Sequence, residues 1–401
     1  MSTQTGTATS YLDLLNQLRA FLTGVGSAGA PSFAGTGTGT MSGVTCYPGT
    51  KTETITVKCT SAATPGAEVW SVTGSVSGAL ANATTGVAYT SAEIGFTINA
   101  GATNFAVNDQ FTIATTQGAM SAAGSAWTEL AKNSTPYSGQ PGANDTVDFE
   151  TYLKAPGLSG TEAIYLNIRA FHYTSGDYYN FELRGAQGYN ASNAFTAQPG
   201  ISPAAYVYLW NQSTPYWFIA NGQRVIVVAK VSTVYEMFYM GKFLPYGTPG
   251  QYPYPVAIGG CGYSSSDLRF SDTSYSHLAF FDPNGLLVCD SANAWQLFQN
   301  FNTGGSMAQS PYNNVWPYCY CSSDRPNWMS ANLDGTYSVF PVRLEQTSPA
   351  PSVLGELDGV GFVTGNSNSS ESTVNDGTNN WMVVQNVFRT AADNYCAVKM
   401  A

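Results

Sequence analysis

Apolar residues along this chain recur with two different periods. Residues 11 to 25 place Tyr11, Leu14, Leu15, Leu18, Phe21, Leu22 and Val25 at helical spacing behind Ser10, which predicts one short amphipathic helix with a serine N-cap. Gly24 and Gly26 end it. From about residue 50 the period drops to two: Ile55 and Val57, then Ile94, Phe96 and Ile98, then Phe105, Val107, Phe111 and Ile113 alternate with polar neighbours. The densest apolar and aromatic segments follow, at Ile164 to Tyr173, Tyr206 to Trp210 and Tyr216 to Met240. Within YWFIANGQRVIVVAKV, Asn221-Gly222 suits the positive backbone angles of a tight type I′ turn, so a hairpin is expected there. WTELAK near Trp127 and ANAWQLFQNF near Trp295 each suggest about two helical turns.

These periods predict a mainly β protein with an antiparallel sandwich or jelly-roll-like core and one N-terminal helix. Five segments are expected: the helix over 1–30, a Gly/Thr-rich linker over 31–49, a small β domain over 50–140, the main β-sandwich over 141–350, and a strand-loop-strand extension over 351–401.

Composition narrows the function. Of 401 residues, 43% are hydrophobic, which excludes intrinsic disorder, yet only 10% are charged. A surface built from hydroxyls and amides costs less to desolvate than one built from ions, so it suits permanently packed assemblies. Fifteen basic and 25 acidic groups leave a formal charge of −10, which opposes nucleic acid as a partner. The first residues lack a basic stretch followed by an apolar core, and no later apolar run reaches the ~20 residues that span a bilayer, so neither export by a leader nor a membrane partner is expected.

Candidate chemistry is sparse. His172 and His277 are the two histidines, and Asp272, Ser276 and His277 are the one local grouping that resembles a hydrolytic triad; no G-x-S-x-G elbow accompanies it. Asp145, Asp148 and Glu150, or Asp267 and Asp272, could supply the carboxylate pair of a glycosidase, although turn-capping beside Gly, Asn and Ser explains most of these positions without catalysis. Cys319-Tyr320-Cys321 is spaced C-x-C, unlike structural zinc sites, and GTGTGTMSG matches no phosphate-cradling loop, so no metal or cofactor is expected. The seven cysteines, Cys46, Cys59, Cys261, Cys289, Cys319, Cys321 and Cys396, are candidates for disulfides instead: Cys46 with Cys59 around a local turn, Cys319 and Cys321 with Cys261 and Cys289, and Cys396 between chains. LPYGTPGQYPYP offers Tyr246, Tyr252 and Tyr254 as rigid aromatic contacts, and Trp210, Trp217, Trp316 and Trp328 are candidates for stacking on sugar.

Three stretches resemble tailed-phage virion proteins. GSVSGALANATTGVAYTSAEIGFTINAGATNFAVNDQFTIATT is similar to a β module of phage tail and appendage proteins. TYLKAPGLSGTEAIYLNIRAF and YWFIANGQRVIVVAKVSTVYEMFYMGKFLPYGTPGQYPYP resemble segments of structural proteins from contractile-tailed phages, and VLGELDGVGFVTGNSNSSESTV with WMVVQNVFRTAADNYCAVKM resembles their C-terminal ends. The resemblance implies a non-enzymatic virion component at the neck, collar or tail. Its expected partners are copies of itself and neighbouring virion proteins. Leu14, Leu18 and Phe21 of the helix and Trp381 and Val383 near the C-terminus are expected to dock onto adjoining subunits. The alternatives are a receptor-binding protein that takes a host surface glycan and, beyond it, a polysaccharide depolymerase.

Overall fold

A computed structural model describes residues 1–157, 163–248, 250–262, 265–273, 277–279, 286–299, 313–316, 331–346, 351–387 and 394–400. The protein is mainly β and antiparallel. The chain divides into two compact units, one of residues Arg19–Ala126 and the other of Met1–Leu18 with Trp127–Ala401.

In the smaller unit, strands Thr40–Cys46, Ala88–Thr90 and Ile94–Asn99 form one sheet, while Glu53–Ser61, Val69–Gly74 and Gln110–Thr116 are the main strands of a second. Their inward side chains meet in one core: Ile55, Val57, Trp70, Val72, Ile94, Phe96, Ile98, Phe111 and Ile113 are all buried. The expected alternation therefore holds, except that Val107 points outward and is 52% exposed. Residues 31–49 are no linker. Ser32–Ala34 and Thr40–Cys46 are strands, paired with Gln110–Thr116 and Ile94–Asn99, so backbone pairing organises a segment too poor in side chains to build a core.

Glu53 anchors the Ser75–Ser77 turn of this unit. Its carboxylate accepts the backbone N–H of Val76 at 2.7 Å and of Ser77 at 3.0 Å, and the Ser77 hydroxyl at 2.5 Å. Glu93, itself 3.3 Å from Lys51 Nζ, approaches the same hydroxyl. Burial pushes the Glu53 pKa up, but the bonds from Ser77 and Val76 outweigh it and hold the carboxyl at about 2. A lowered carboxyl pKa adds stability that is complete above the unfolded value near ~4.3 and is lost as pH falls through about 2. Glu53→Gln should therefore cost ~1–3 kcal/mol near neutral pH and little near pH ~2. Urea melts across that range test this; equal losses at both ends would show that the carboxylate charge is not what holds the turn.

In the larger unit, Thr128–Asn133, Thr146–Ala155, Ile164–Tyr173, Tyr178–Ala186 and Ala205–Val207 lie side by side in an antiparallel sheet of six strands among the described residues. A sheet of 14 described strands starts at Ser2–Ala8, runs through Thr214–Ala220, Arg224–Val231 and Val234–Lys242, and ends at Thr373–Asn375. The two sheets pack face to face: a Cβ placed on Gly185 would lie 2.6 Å from the Trp295 ring and 3.1 Å from Ile258. The main core of this unit, around Ile226, Val228, Met237, Tyr239, Leu286, Leu344 and Val398, is built from the large sheet and its connections, with no side chain from the six-stranded sheet among the described residues.

Several local expectations change. WTELAK and ANAWQLFQNF contribute the strands Thr128–Asn133 and Trp295–Gln299, not helices, because each is paired along a neighbouring strand. Thr128–Asn133 thereby belongs to the larger unit, so the boundary falls at 126 and not at 140. Residues 351–401 are no appended extension: Ser352–Phe362, Asn380–Gln385 and Tyr395–Lys399 pair within the large sheet. The hairpin at Asn221 forms, with Ala220 opposite Val225, but neither Asn221 nor Gly222 adopts a positive φ. The Asn221 side-chain oxygen instead accepts the N–H groups of Gln223 and Arg224 at 2.8 and 2.9 Å, an Asx-type closure in place of the type I′ turn. The helix, Tyr11–Leu22, is capped as expected: Ser10 Oγ accepts the Asp13 N–H, and Asp13 accepts that of Thr9.

Candidate functional site

The face of the six-stranded sheet on which Gly185 lies turns toward Trp295 and the large sheet; the other carries a row of charges. Register places Glu150 opposite Arg169, Arg169 opposite Glu182, and Glu182 opposite Tyr206, so these side chains share one face of adjacent strands. Arg169 Nε donates to Glu182 Oε2 at 2.6 Å, and Arg184 Nε donates to Glu182 Oε1 at 2.5 Å. The Tyr137 hydroxyl donates to Glu150 at 2.5 Å and accepts from Arg169 Nη1 at 3.5 Å. Burial opposes the charge on Arg169, but Glu182 more than restores it and raises its pKa overall. The Phe195 ring covers the Arg169 guanidinium at 4.8 Å.

At the Tyr173 end of this face the sheet opens into a cleft of about 470 Å³, lined by Asn144, Tyr173, Tyr178, Asp267, Arg269 and Asp272, with Gly176, Leu268 and Ser271 completing it. Tyr173 and Tyr178 close the hairpin opposite each other, with ring centroids 5.7 Å apart. The link between them ends at Asp177, whose φ of 51° lies in the left-handed region that Asp tolerates better than most side chains. Asp177 meets Arg269 at 2.5 Å. Tyr178 donates its hydroxyl to the buried Asp145 at 2.5 Å; burial and then that carboxylate push the phenol pKa well up, so it remains a donor at ordinary pH.

The loop carrying Asp267, Arg269 and Asp272 is fastened from beneath. Asn180 Nδ2 donates to the carbonyls of Ser266 and Leu268, both at 2.9 Å, and Tyr208 donates to that of Ser265 at 3.2 Å. His277 Nε2 lies 3.0 Å from the Asp272 carbonyl oxygen, and Nδ1 lies 2.7 Å from Glu236 Oε1. Both His277 and Glu236 are fully buried. Burial raises the Glu236 pKa, and the neighbouring His277 only partly offsets this.

Of the expected sites, the structure brings Asp267 and Asp272 into one cleft and keeps the others apart. Asp145 is bonded behind Tyr178, Asp148 pairs with His172 at 2.6 Å and with Tyr11, and Glu150 belongs to the charge row. His277 faces the Asp272 carbonyl and Glu236, not the Asp272 carboxylate, and it is sealed from solvent; Ser276 lies outside the described residues. Among the described residues no group of three or more His, Cys, Asp and Glu could hold a metal.

The disulfide expectation is corrected. Cys46, Cys59, Cys261, Cys289 and Cys396 are free thiols, and Cys319 and Cys321 lie outside the described residues. Cys46 and Cys59 sit on strands of different sheets, and Cys59, Cys261, Cys289 and Cys396 are buried among core side chains, where a thiol packs as a small apolar group. Cys396 Sγ is 3.6 Å from Met237 Sδ in the interior, so it cannot bridge to another chain. The docking residues change likewise: Leu14 and Leu18 are 0% exposed, Phe21 4% and Val383 0%, all consumed by this chain's own packing, while Trp381 is half-buried and donates to Asp376. Tyr252 is buried and bonds the Cys289 carbonyl, Tyr254 is half-buried, and Tyr246 alone of the three is exposed. Trp210 and Trp217 do not line the cleft, and Trp328 and the Trp316 side chain lie outside the described residues.

No protein-family model matches the chain, and no curated protein matches it. Among solved structures the chain is similar to FlgL of Xanthomonas campestris, at 19% identity over 26% of this chain and 35% of that one, with a TM-score of 0.18. So slight a likeness bears on neither fold nor function.

Proposed function

We propose that this protein is a structural subunit of a tailed-phage particle, held at the neck, collar or tail by contacts with copies of itself and with neighbouring virion proteins. The observation that carries this reading is an exposed apolar ridge on a surface otherwise poor in charge. Leu244–Pro245 pairs with Ser352–Phe362, and Tyr246 extends the pairing through its N–H to Leu354 O at 2.9 Å. Leu244, Tyr246 and Val353 are 45%, 56% and 41% exposed on this rigid ladder. The Tyr246 hydroxyl is tied to Glu356 at 2.9 Å, which fixes the ring before any partner arrives. Covering three such side chains contributes a few kcal/mol per copy at about 25 cal/mol per Å².

Cryo-electron microscopy of the intact particle tests the reading. A closed ring or stack with Leu244, Tyr246 and Val353 under a neighbouring chain is the expected result. A peripheral projection with this ridge in solvent, or absence of the chain from the particle, would overturn it.

A further inference from the structure

We propose that the cleft between Tyr173, Tyr178, Asp267 and Asp272 is a binding site for a neutral saccharide of one or two rings, a property separate from any role in assembly. Its volume of about 470 Å³ lies in the range of small-molecule sites. The lining mixes the two kinds of group a polyol needs. Asp267 and Asp272 accept hydrogen bonds from hydroxyls, while Arg269, Asn144 and Ser271 can donate to ring and hydroxyl oxygens. Tyr173 adds aromatic surface for the C–H face of a pyranose, with the buried Tyr178 ring packed beside it at 5.7 Å, and Leu268 adds an apolar patch.

The same lining argues against other ligand classes. An anionic sugar or phosphate would meet Asp267 and Asp272 in a chain of formal charge −10, with only Arg269, whose guanidinium is shared with Asp177 at 2.5 Å, to attract it. A simple cation would have to sit beside the Arg269 guanidinium. A neutral polyol has neither penalty, because each of its hydroxyls can donate to a carboxylate and accept from a guanidinium or amide.

Preorganisation supports the assignment. Asn180 and His277, both fully buried, hold the carbonyls of Ser266, Leu268 and Asp272 from below, and Asp145 fixes Tyr178. The ligand therefore meets a loop already anchored at three carbonyls, and little ordering remains to be done on binding. The cleft shares no residue with the apolar ridge, so failure of the virion reading would leave the saccharide site standing, and the converse also holds.

Saturation-transfer NMR and calorimetry on the full chain test it, with maltose, cellobiose, lactose and N-acetylglucosamine as neutral probes, sialyllactose as an anionic one and glucosamine as a cationic one. The expected result is saturable binding of at least one neutral probe with Kd of about 10 mM or tighter, none of sialyllactose, and at least ~10-fold weaker binding in both Asp272→Asn and Tyr173→Ala. These residues line an open cleft, so the variants should melt with the parent, which thermal denaturation checks. No neutral probe binding, tighter binding of glucosamine or sialyllactose, or binding indifferent to both substitutions would each overturn the proposal.

Discussion

His277→Phe is expected to destabilise the larger unit by ~3–5 kcal/mol at pH ~8 and by distinctly less at pH ~4.5. The reason lies in one proton. Nε2 faces the Asp272 carbonyl oxygen, which can only accept, so Nε2 carries a hydrogen. Nδ1 faces Glu236 Oε1 at 2.7 Å, and a single proton between the two makes the buried pair neutral overall, whichever atom holds it. Phenylalanine fills the space but removes that proton's second owner. Glu236 would then be a lone carboxylate with no exposed surface, and its Oε2 already has no partner among the described residues. Burial holds the Glu236 pKa above its ordinary value, and in the variant the moderating effect of His277 is gone. A raised carboxyl pKa means that the folded chain keeps a proton the unfolded chain releases, so stability falls as pH rises from about 4.3 toward the folded value, by up to ~1.4 kcal/mol per pH unit. Denaturant titrations at the two pH values measure this, and His277→Phe combined with Glu236→Gln should abolish the pH dependence. A single variant whose loss does not change with pH would show that Glu236 is not left charged. Cys261, which also interacts with Glu236, stays a neutral thiol throughout, since burial and Glu236 push its pKa well up.

Arg169→Met should cost a comparable ~3–5 kcal/mol through a different route. Glu182 is fully buried and is neutralised by two guanidinium groups, Arg169 at 2.5 Å from within and Arg184 at 2.5 Å from the partly exposed side. Removing Arg169 leaves the carboxylates of Glu150 and Glu182 on the strands either side of Ile164–Tyr173, with Arg184 paired to Glu182 alone, and strips the Tyr137 hydroxyl of its donor. Arg169→Met with Glu182→Leu should recover much of the loss, because no buried carboxylate is left unpaired at position 182 and the partly exposed Arg184 keeps its bond to the Ser202 carbonyl. Tyrosine fluorescence through a urea titration reads both. A loss under ~1 kcal/mol for the single variant would mean that solvent reaches Glu182 more easily than its burial indicates.

The contrast between these two sites and the rest of the molecule shows what sequence patterning can reach. Alternation located the strands around Ile55, Ile94 and Phe111 because each has one wet face, and the same contrast placed the helix behind Ser10. It failed where periodicity is ambiguous over five or six residues, as in Thr128–Asn133 and Trp295–Gln299, and where apolar signal is missing altogether. Ser2–Ala8 reads STQTGTA, and only its partner Thr214–Ala220 makes it a strand. For the cleft, Asp267 and Asp272 were legible as a neighbouring pair, but Tyr173 and Tyr178 were not, since a hairpin closure had to bring them beside a loop some 90 residues onward, as the 86 and 88 positions from Asn180 to Ser266 and Leu268 illustrate. One signal was available and unused. Glu236 sits in VYEMFYM and Arg169 and Glu182 in similarly apolar strands; an ion in a strand that is apolar on both sides must find a counter-charge inside the protein. Cysteine number misled for the opposite reason, because a count says nothing of whether thiols share a cavity or merely fill the core.

The pairing of Ser2–Ala8 with Thr214–Ala220 also sets an order of events during synthesis. Gln4 must wait for Tyr216, 212 positions later, before its side chain finds the hydroxyl it bonds. At ~5–20 residues per second that interval lasts roughly 10–40 s, ample for residues 19–126, whose sheets pair only among themselves, to fold first. Meanwhile the N-terminal strand remains an unclaimed edge-former, and its Thr-, Gln- and Gly-rich text, with no large apolar side chain, keeps it from pairing with the wrong partner while it waits.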